Sequence, residues 1–339
     1  DDSLTCVPTN HRAIQTATLY DLIPLLNPKQ YFDDSPLYRD FYTEKVDQLK
    51  AADSLFAISE FSRIEAIHHL SLREEQIVNV STGISDLTRR CGYELPDNFV
   101  RWAKNLGIEG NFVLYSGGSD ERKNLVRLVR AYALLPLSVR AENALVLAGK
   151  MRDQDKQLLL KAAKEANLDA SRLIFTGYVS DDHLSFLYRT CSLYVFPSWH
   201  EGFGLPPLEA MKHGAPVIAS NAASIPEVVG LESALFDPFN IDSIAAKLLE
   251  GLTDEGFRDQ LRIHGTHQAK KFNWDKVALS AIGTWAQLHQ EGGNLLEESV
   301  GHTNHLKSPT GQLVNDLINQ IRPTVKDLSH EDLIRTCFA

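Results

Sequence analysis

The sequence predicts an α/β fold built on a doubly wound parallel sheet, and three observations carry that expectation. Between residues 110 and 220 short apolar runs alternate with helical patterns, the signature of a parallel sheet covered by helices on both faces. Four of the five runs end in or just before Gly or Pro, so loops able to approach a ligand sit at their carboxyl ends. Between the first two runs, Leu125, Leu128, Val129 and Tyr132 recur at i, i+3, i+4 and i+7, one buried helix face.

The five strands are FVLYSGG (112–118), ALVLAG (144–149), RLIFTG (172–177), LYVFP (193–197) and PVIAS (216–220). Ser180 or Asp181 can cap a helix through LSFLYR, and Pro206–Pro207 can open another at LEAMKHG that Gly214 ends. Upstream, TATLYDLIPL (16–25), SLFAIS (54–59) and QIVNVS (76–81) read as three further strands, with a helix from Arg63 to Leu70; three strands are too few for an independent domain of this type. After residue 240 come helices over about 241–252 and 257–271, then one with Asn273 as N-cap. A Gly-Gly break at EGGNLLEES then separates a tail holding another amphipathic helix around LVNDLINQI.

The whole chain is 339 residues, 43% hydrophobic and 23% charged, which implies two globular domains and excludes a disordered or fibrous protein. A net charge of −10 gives no field that draws it onto nucleic acid. Cys6, Cys91, Cys191 and Cys337 lie far apart, which argues against a disulfide framework and a zinc cluster and reads as reduced thiols in a cytosolic protein. No apolar run approaches 18 residues, and DDSLTCVPTNHR has neither a basic nor an apolar leader region, so the expectation is no membrane span and no secretion signal.

The segment WHEGFGLPPLEAMKHG (199–214) is the most informative. It sets Glu201 and Glu209 eight positions apart, with GFG and two prolines between them, ahead of a helix start. Such a loop turns the backbone N–H groups from Gly202 to Leu205 toward one point, a phosphate cradle with a carboxylate at each end. Carboxylates do not bind phosphate; they accept hydrogen bonds from hydroxyls of a ligand whose phosphates lie in the cradle, which suits ribose and sugar. The GGSDERKN loop carries Gly117 and Gly118 and sets Arg122 and Lys123 at a helix N-terminus, a second source of positive potential.

EGFGLPPLEAMKHGAPVIAS resembles the E-x7-E signature of retaining family-4 glycosyltransferases with the GT-B fold, and YSGGSDERKNLVRLVRAY, LIFTGYVSDDHLSFLY and IPEVV extend the likeness in order and spacing. The resemblance implies two Rossmann-like domains facing across a cleft: the C-terminal part of an acceptor domain over 1–84, a nucleotide-sugar domain over 85–272, a helix returning to the first domain over 273–289, and a tail over 290–339 leading toward a further module. It makes Glu201 the holder of donor-sugar hydroxyls, the Phe203–Gly204–Leu205 backbone the holder of sugar or diphosphate, and Glu209 the ribose partner. Lys123 and Arg122 stabilise a leaving diphosphate, Arg122 on the strength of the RKN sequence alone, since many relatives place an arginine where this chain has Gly118. Gly177–Tyr178–Val179 falls where the family grips the base, although Tyr178 also suits a core position. Tyr20–Asp21 replaces a His–Asp pair, and Gly83 matches the interdomain crossover glycine, or is merely a turn.

Asp153-Gln154-Asp155 matches the metal site of another glycosyltransferase fold, but acids there open a helix; His302 and His305 in HTNH lack further ligands, and His68–His69, His264 and His267 read as surface residues. The expectation is a retaining, metal-independent glycosyltransferase without cofactor, reacting by front-face displacement with no enzyme nucleophile. Its partners are a nucleotide-diphosphate sugar, best GDP-mannose from the RKN and IPL likeness to mannosyltransferases of bacterial polysaccharide assembly, and a glycan or lipid-linked saccharide acceptor. The site of action is the cytoplasm, with at most peripheral contact at the inner membrane face. The alternatives are a UDP-sugar epimerase of the same fold and a binding module without turnover. The first domain is expected to be incomplete, the chain being an excerpt of a longer polypeptide.

Overall fold

The computed structural model describes residues 14–84 and 97–299. The first region runs β1 (Thr16–Leu19), α1 (Ile23–Leu26), α2 (Pro28–Tyr31), α3 (Pro36–Lys50), β2 (Ser54–Ala57), α4 (Glu60–Leu70) and β3 (Ile77–Asn79). The second opens with α5 (Asp97–Asn105), β4 (Asn111–Ser116), α6 (Leu125–Ala133), α7 (Leu137–Glu142), β5 (Asn143–Ala148), α8 (Asp153–Glu165) and β6 (Leu173–Gly177). It continues through α9 (Asp181–Thr190), β7 (Leu193–Phe196), α10 (Leu205–Lys212), β8 (Val217–Ser220), α11 (Ile225–Val229) and β9 (Leu235–Phe236). Three helices follow: α12 (Ile241–Thr253), α13 (Glu255–Ala269) and α14 (Trp274–Ser299).

The described residues form two parallel sheets, one of three strands in the order β1-β2-β3 and one of six in the order β6-β5-β4-β7-β8-β9. The strands of the larger sheet are mainly apolar because helices cover both faces; every residue of β5, β7 and β8 is buried. Its core takes in Val113, Leu145, Val195, Ile218 and, as expected, Leu125, Leu128, Val129 and Tyr132 from α6. A separate core under the smaller sheet is built from Leu19, Leu22, Leu55, Ala66 and Ile77. The strand order reverses between β4 and β7, and the crevice beyond the carboxyl ends of those two strands is where an open α/β sheet binds ligands.

The caps follow the sequence. Ser59 opens α4 by accepting from the Ser62 amide, Ser180 opens α9, and Asn273 accepts from the Lys276 amide. The Gly-Gly break does not form, and α14 runs through Gly292 and Gly293. Each costs a helix about 1 kcal/mol against alanine, an amount that flanking Leu, Glu and Gln can offset. Asp153 and Asp155 lie in the first turn of α8, where the Asp155 carboxylate accepts from Arg152 and Ser119. Among the described residues, those up to Ala281 belong to one compact unit and those from Ile282 to another. The segment 85–96, with Cys91, and the tail from 300, with His302, His305 and Cys337, lie outside the described residues, as does Cys6.

Candidate active site

At the switch point the structure joins the two informative loops. Glu201, just beyond β7, is buried, and its carboxylate takes Lys123 Nζ on Oε1 at 2.6 Å and Arg122 on Oε2 at 2.5 Å. Burial by itself raises a carboxyl, but the two cations outweigh it and hold Glu201 below its ordinary value. The sequence reading faces Glu201 toward sugar and the cations toward a diphosphate; here the three are one ionic cluster. Arg122 is the better anchored cation, because it also donates to the His200 carbonyl at 2.9 Å and shares a hydrogen bond with the Tyr31 hydroxyl of α2. Lys123 Nζ stands 5.6 Å from the centre of the Phe196 ring.

The next residue fixes the approach of that pair. Asn124 adopts a left-handed backbone (φ +62°), which an Asn tolerates better than most residues, and its amide donates to the carbonyls of Pro197 and Pro238. The RKN triplet is therefore pinned to the end of β7. Gly117 (φ +143°) and Gly149 (φ +137°) let two strand ends cross closely: a Cβ on Gly149 would fall 2.1 Å from the Gly117 carbonyl oxygen. Gly118 accepts from the Tyr115 hydroxyl and has open space around its α-carbon.

The cradle owes its form to three serines that the sequence reading missed. Ser224 Oγ lies within hydrogen-bonding distance of the Glu201 and Phe203 carbonyls, and Ser59 and Ser62 of the smaller sheet's side donate to the Gly202 carbonyl at 2.7 and 2.9 Å. In a planar trans peptide the following N–H points the opposite way. The amides of Gly202 and Gly204 thus face away from Ser224, that of Phe203 faces away from α4, and no described residue accepts from them. Gly204 (φ +132°) makes the turn into α10, whose next residues, Pro206 and Pro207, carry no N–H; the loop, more than the helix end, supplies the donors. Leu205 is half-exposed, and Phe203 is buried edge-on against Phe272.

Glu209, in α10, is half-buried, and burial raises its carboxyl although a bond from Tyr188 pulls it down. Tyr188 donates to Oε2 at 3.2 Å, while Oε1 accepts from no described residue. Tyr178, expected either at the base or in the core, is 81% exposed at the end of β6, so the core placement does not hold; Val179 packs against the core. Asp21 sits beside the ionic cluster with its carboxyl raised by burial, against the pull of the Ile23 amide and Arg122. Gly83 is more than a turn, since a Cβ there would fall 2.5 Å from the Trp274 nitrogen.

The two sheets meet at this loop. A Cβ on Gly202 would lie 2.3 Å from the Tyr20 carbonyl oxygen, Glu65 of α4 pairs with His200 at 3.0 Å, and Glu227 accepts from the Glu60 and Phe61 amides that open α4. Among the described residues no cluster of three or more His, Cys, Asp or Glu could hold a metal, and no helix is long and apolar enough to cross a membrane.

Two parallel-stranded sheets meeting at a loop of buried cations and free amides define the GT-B class of glycosyltransferase. A solved Anabaena structure, HepE in complex with UDP and glucose, shares the fold with a TM-score of 0.63 at 21% identity, over 80% of this chain and 71% of that one. The chain belongs to the glycosyl transferases group 1 family, whose model matches residues 97–268. It is 36% identical over 291 residues to the Escherichia coli serotype-specific mannosyltransferase WbdA, covering 86% of this chain and 36% of that protein's length. It is 34% identical to the Escherichia coli O-antigen chain mannosyltransferase B, over 82% of this chain and 72% of the relative.

Proposed function

We propose that the chain transfers mannose from GDP-mannose to a growing surface polysaccharide, with retention at the anomeric carbon and without a metal ion. The observation that supports this most is the cluster of Lys123, Arg122 and Glu201 beside the free amides of 202–204, at the switch point of the six-stranded sheet. The relatives named as mannosyltransferases bear on the sugar, and the RKN sequence agrees with them. A diphosphate entering the cradle displaces the Glu201 carboxylate from the two cations. They and the amides then stabilise the leaving group electrostatically, the part a divalent cation plays elsewhere. Freed, Glu201 accepts from hydroxyls of the donor sugar, while the open oxygen of Glu209 accepts from the ribose. The acceptor hydroxyl attacks the anomeric carbon on the face the diphosphate leaves, and the departing phosphate takes the proton.

The test is to incubate the protein with GDP-mannose labelled in the sugar, with and without a mannose-terminated acceptor and with EDTA. GDP release that needs acceptor, survives EDTA and yields an α-linked product supports the proposal. Sugar isomerisation without acceptor would make it an epimerase, binding without turnover a non-catalytic module, and strict Mg²⁺ dependence would end the metal-free mechanism. A thermal-shift panel of GDP, UDP and ADP checks the base, since a ligand at 100 times its Kd adds about 2.7 kcal/mol to stability.

A further inference from the structure

Behind Glu209 runs a chain of hydroxyls that the mechanism above does not use. Tyr188 OH lies 3.2 Å from Glu209 Oε2, Ser116 Oγ lies 2.9 Å from Tyr188 OH, and Tyr194 OH lies 3.0 Å from Ser116 Oγ. Each hydroxyl carries one proton, and an ionised Glu209 can only accept. Tyr188 therefore donates to the carboxylate, Ser116 to Tyr188, and Tyr194 to Ser116, so every donor in the row points toward Glu209. Tyr188, Ser116 and Tyr194 are all buried.

The Tyr188 ring has little freedom to turn. It stands edge-on to Tyr194 with centroids 5.5 Å apart, and His213 flanks it at the same 5.5 Å. Burial lowers His213, so its ring is neutral, and Nδ1 carries the proton because it meets the Glu209 carbonyl at 2.8 Å. Three elements, β4, β7 and α9, thus fix the hydroxyl that holds one oxygen of a half-exposed carboxylate. The other oxygen remains open, in contrast to Glu201, both of whose oxygens are occupied.

We propose that Tyr188 is a positioning residue for donor recognition: fed by Ser116 and Tyr194, it aims the open oxygen of Glu209 at the ribose hydroxyls and so sets the preference for ribonucleotides over deoxyribonucleotides. Packing alone needs only a buried phenol satisfied by Ser116. A phenol that also fixes the rotamer of an accessible carboxylate has a consequence for whatever that carboxylate grips. The inference rests on the reading of Glu209 as the ribose partner.

The test is calorimetric titration of the chain with GDP, its 2′-deoxy and 3′-deoxy analogues, and inorganic pyrophosphate, for the parent, Tyr188→Phe and Ser116→Ala. The parent should prefer GDP over one deoxy analogue by about tenfold, the scale of a hydrogen bond to a charged group. Tyr188→Phe should reduce that preference to about twofold or less and leave pyrophosphate affinity within twofold, while the unliganded chain melts lower only by the loss of two buried hydrogen bonds. Ser116→Ala should move the preference the same way by less. A Tyr188→Phe protein that keeps the full preference, or loses pyrophosphate and GDP binding equally, overturns the proposal and leaves Tyr188 as packing. A parent that binds GDP no better than pyrophosphate overturns the donor reading itself, and the proposal with it.

Discussion

Replacing Glu201 with Gln tests the ionic cluster directly, because the substitution keeps the shape of the side chain and removes its charge. In the parent, Lys123 and Arg122 both bond to that carboxylate, and all three side chains are between 11% and 16% exposed. Removing one member of a buried ion pair costs about 3–5 kcal/mol because a charge is left uncompensated, and here two cations are left facing one another. The unliganded variant should therefore be less stable by an amount in that range. The same loss should strengthen anion binding. A diphosphate reaching the parent must first break charge-assisted bonds worth about 1.5–3 kcal/mol each, a cost the variant does not bear. We expect pyrophosphate to bind Glu201→Gln at least tenfold more tightly than the parent, which is about 1.4 kcal/mol, and the gain to shrink in high salt. Thermal midpoints measured against pyrophosphate concentration report both effects, as a lower starting midpoint and a steeper rise. A variant that is destabilised but binds pyrophosphate no better than the parent would refute the reasoning, because the cations would then not be held from the anion by Glu201.

The pH dependence of stability follows from the same residue. The folded Glu201 carboxyl lies below its ordinary value, so its contribution is complete above the unfolded value of about 4.3 and is lost as pH falls through the folded one. Urea midpoints from pH 6 to 3 should show that acid limb in the parent and a flatter one in Glu201→Gln. Glu209 has the opposite sign, since burial raises it and its ionised form weakens the fold near neutrality. Glu209→Gln should leave the unliganded midpoint equal or higher while reducing the shift produced by GDP, and a lower midpoint counts against this reading. Gly202→Ala drives a Cβ to 2.3 Å from a carbonyl oxygen that cannot swing aside, an overpacking of about 1–3 kcal/mol, whereas Gly118→Ala meets nothing within 4 Å and should be neutral in the same melting experiment.

The strands of the larger sheet were legible because an apolar run enclosed by helices reads the same whatever its partners. The sixth, Leu235–Phe236, was not, being two residues long and without a period to detect. Helix α3 was missed because its stripe is thin: Tyr42, Val46 and Leu49 face the smaller core, but of its fifteen residues only Val46 is buried. In the site, Glu201, Glu209, Lys123 and the glycines announced themselves because their chemistry lies in residue type at close spacing. The serines that shape the loop carry no such mark: Ser59 and Ser62 meet a carbonyl 140 or more positions away, and only the fold brings them there. The same holds for Tyr31 against Arg122 and for Glu65 against His200. The family resemblance implied that the two cations and Glu201 share a ligand, but not that they neutralise one another.

The grip of α4 on residues 200–202 makes the loop a mechanical sensor of the space between the sheets. Ser59 and Ser62 hold the carbonyl of Gly202, and Glu65 holds the ring of His200, so the tripeptide with Glu201 at its centre is clasped at both ends by an element of the other sheet. Any parting of the sheets must strip two donors from one buried carbonyl and break a buried pair, at about 1 kcal/mol or more for each bond. It cannot leave the backbone beneath Glu201 where it was. Parting the sheets and loosening the clasp on the cations are then one event, and a ligand that bridges the sheets tightens the hold on Glu201 without touching it.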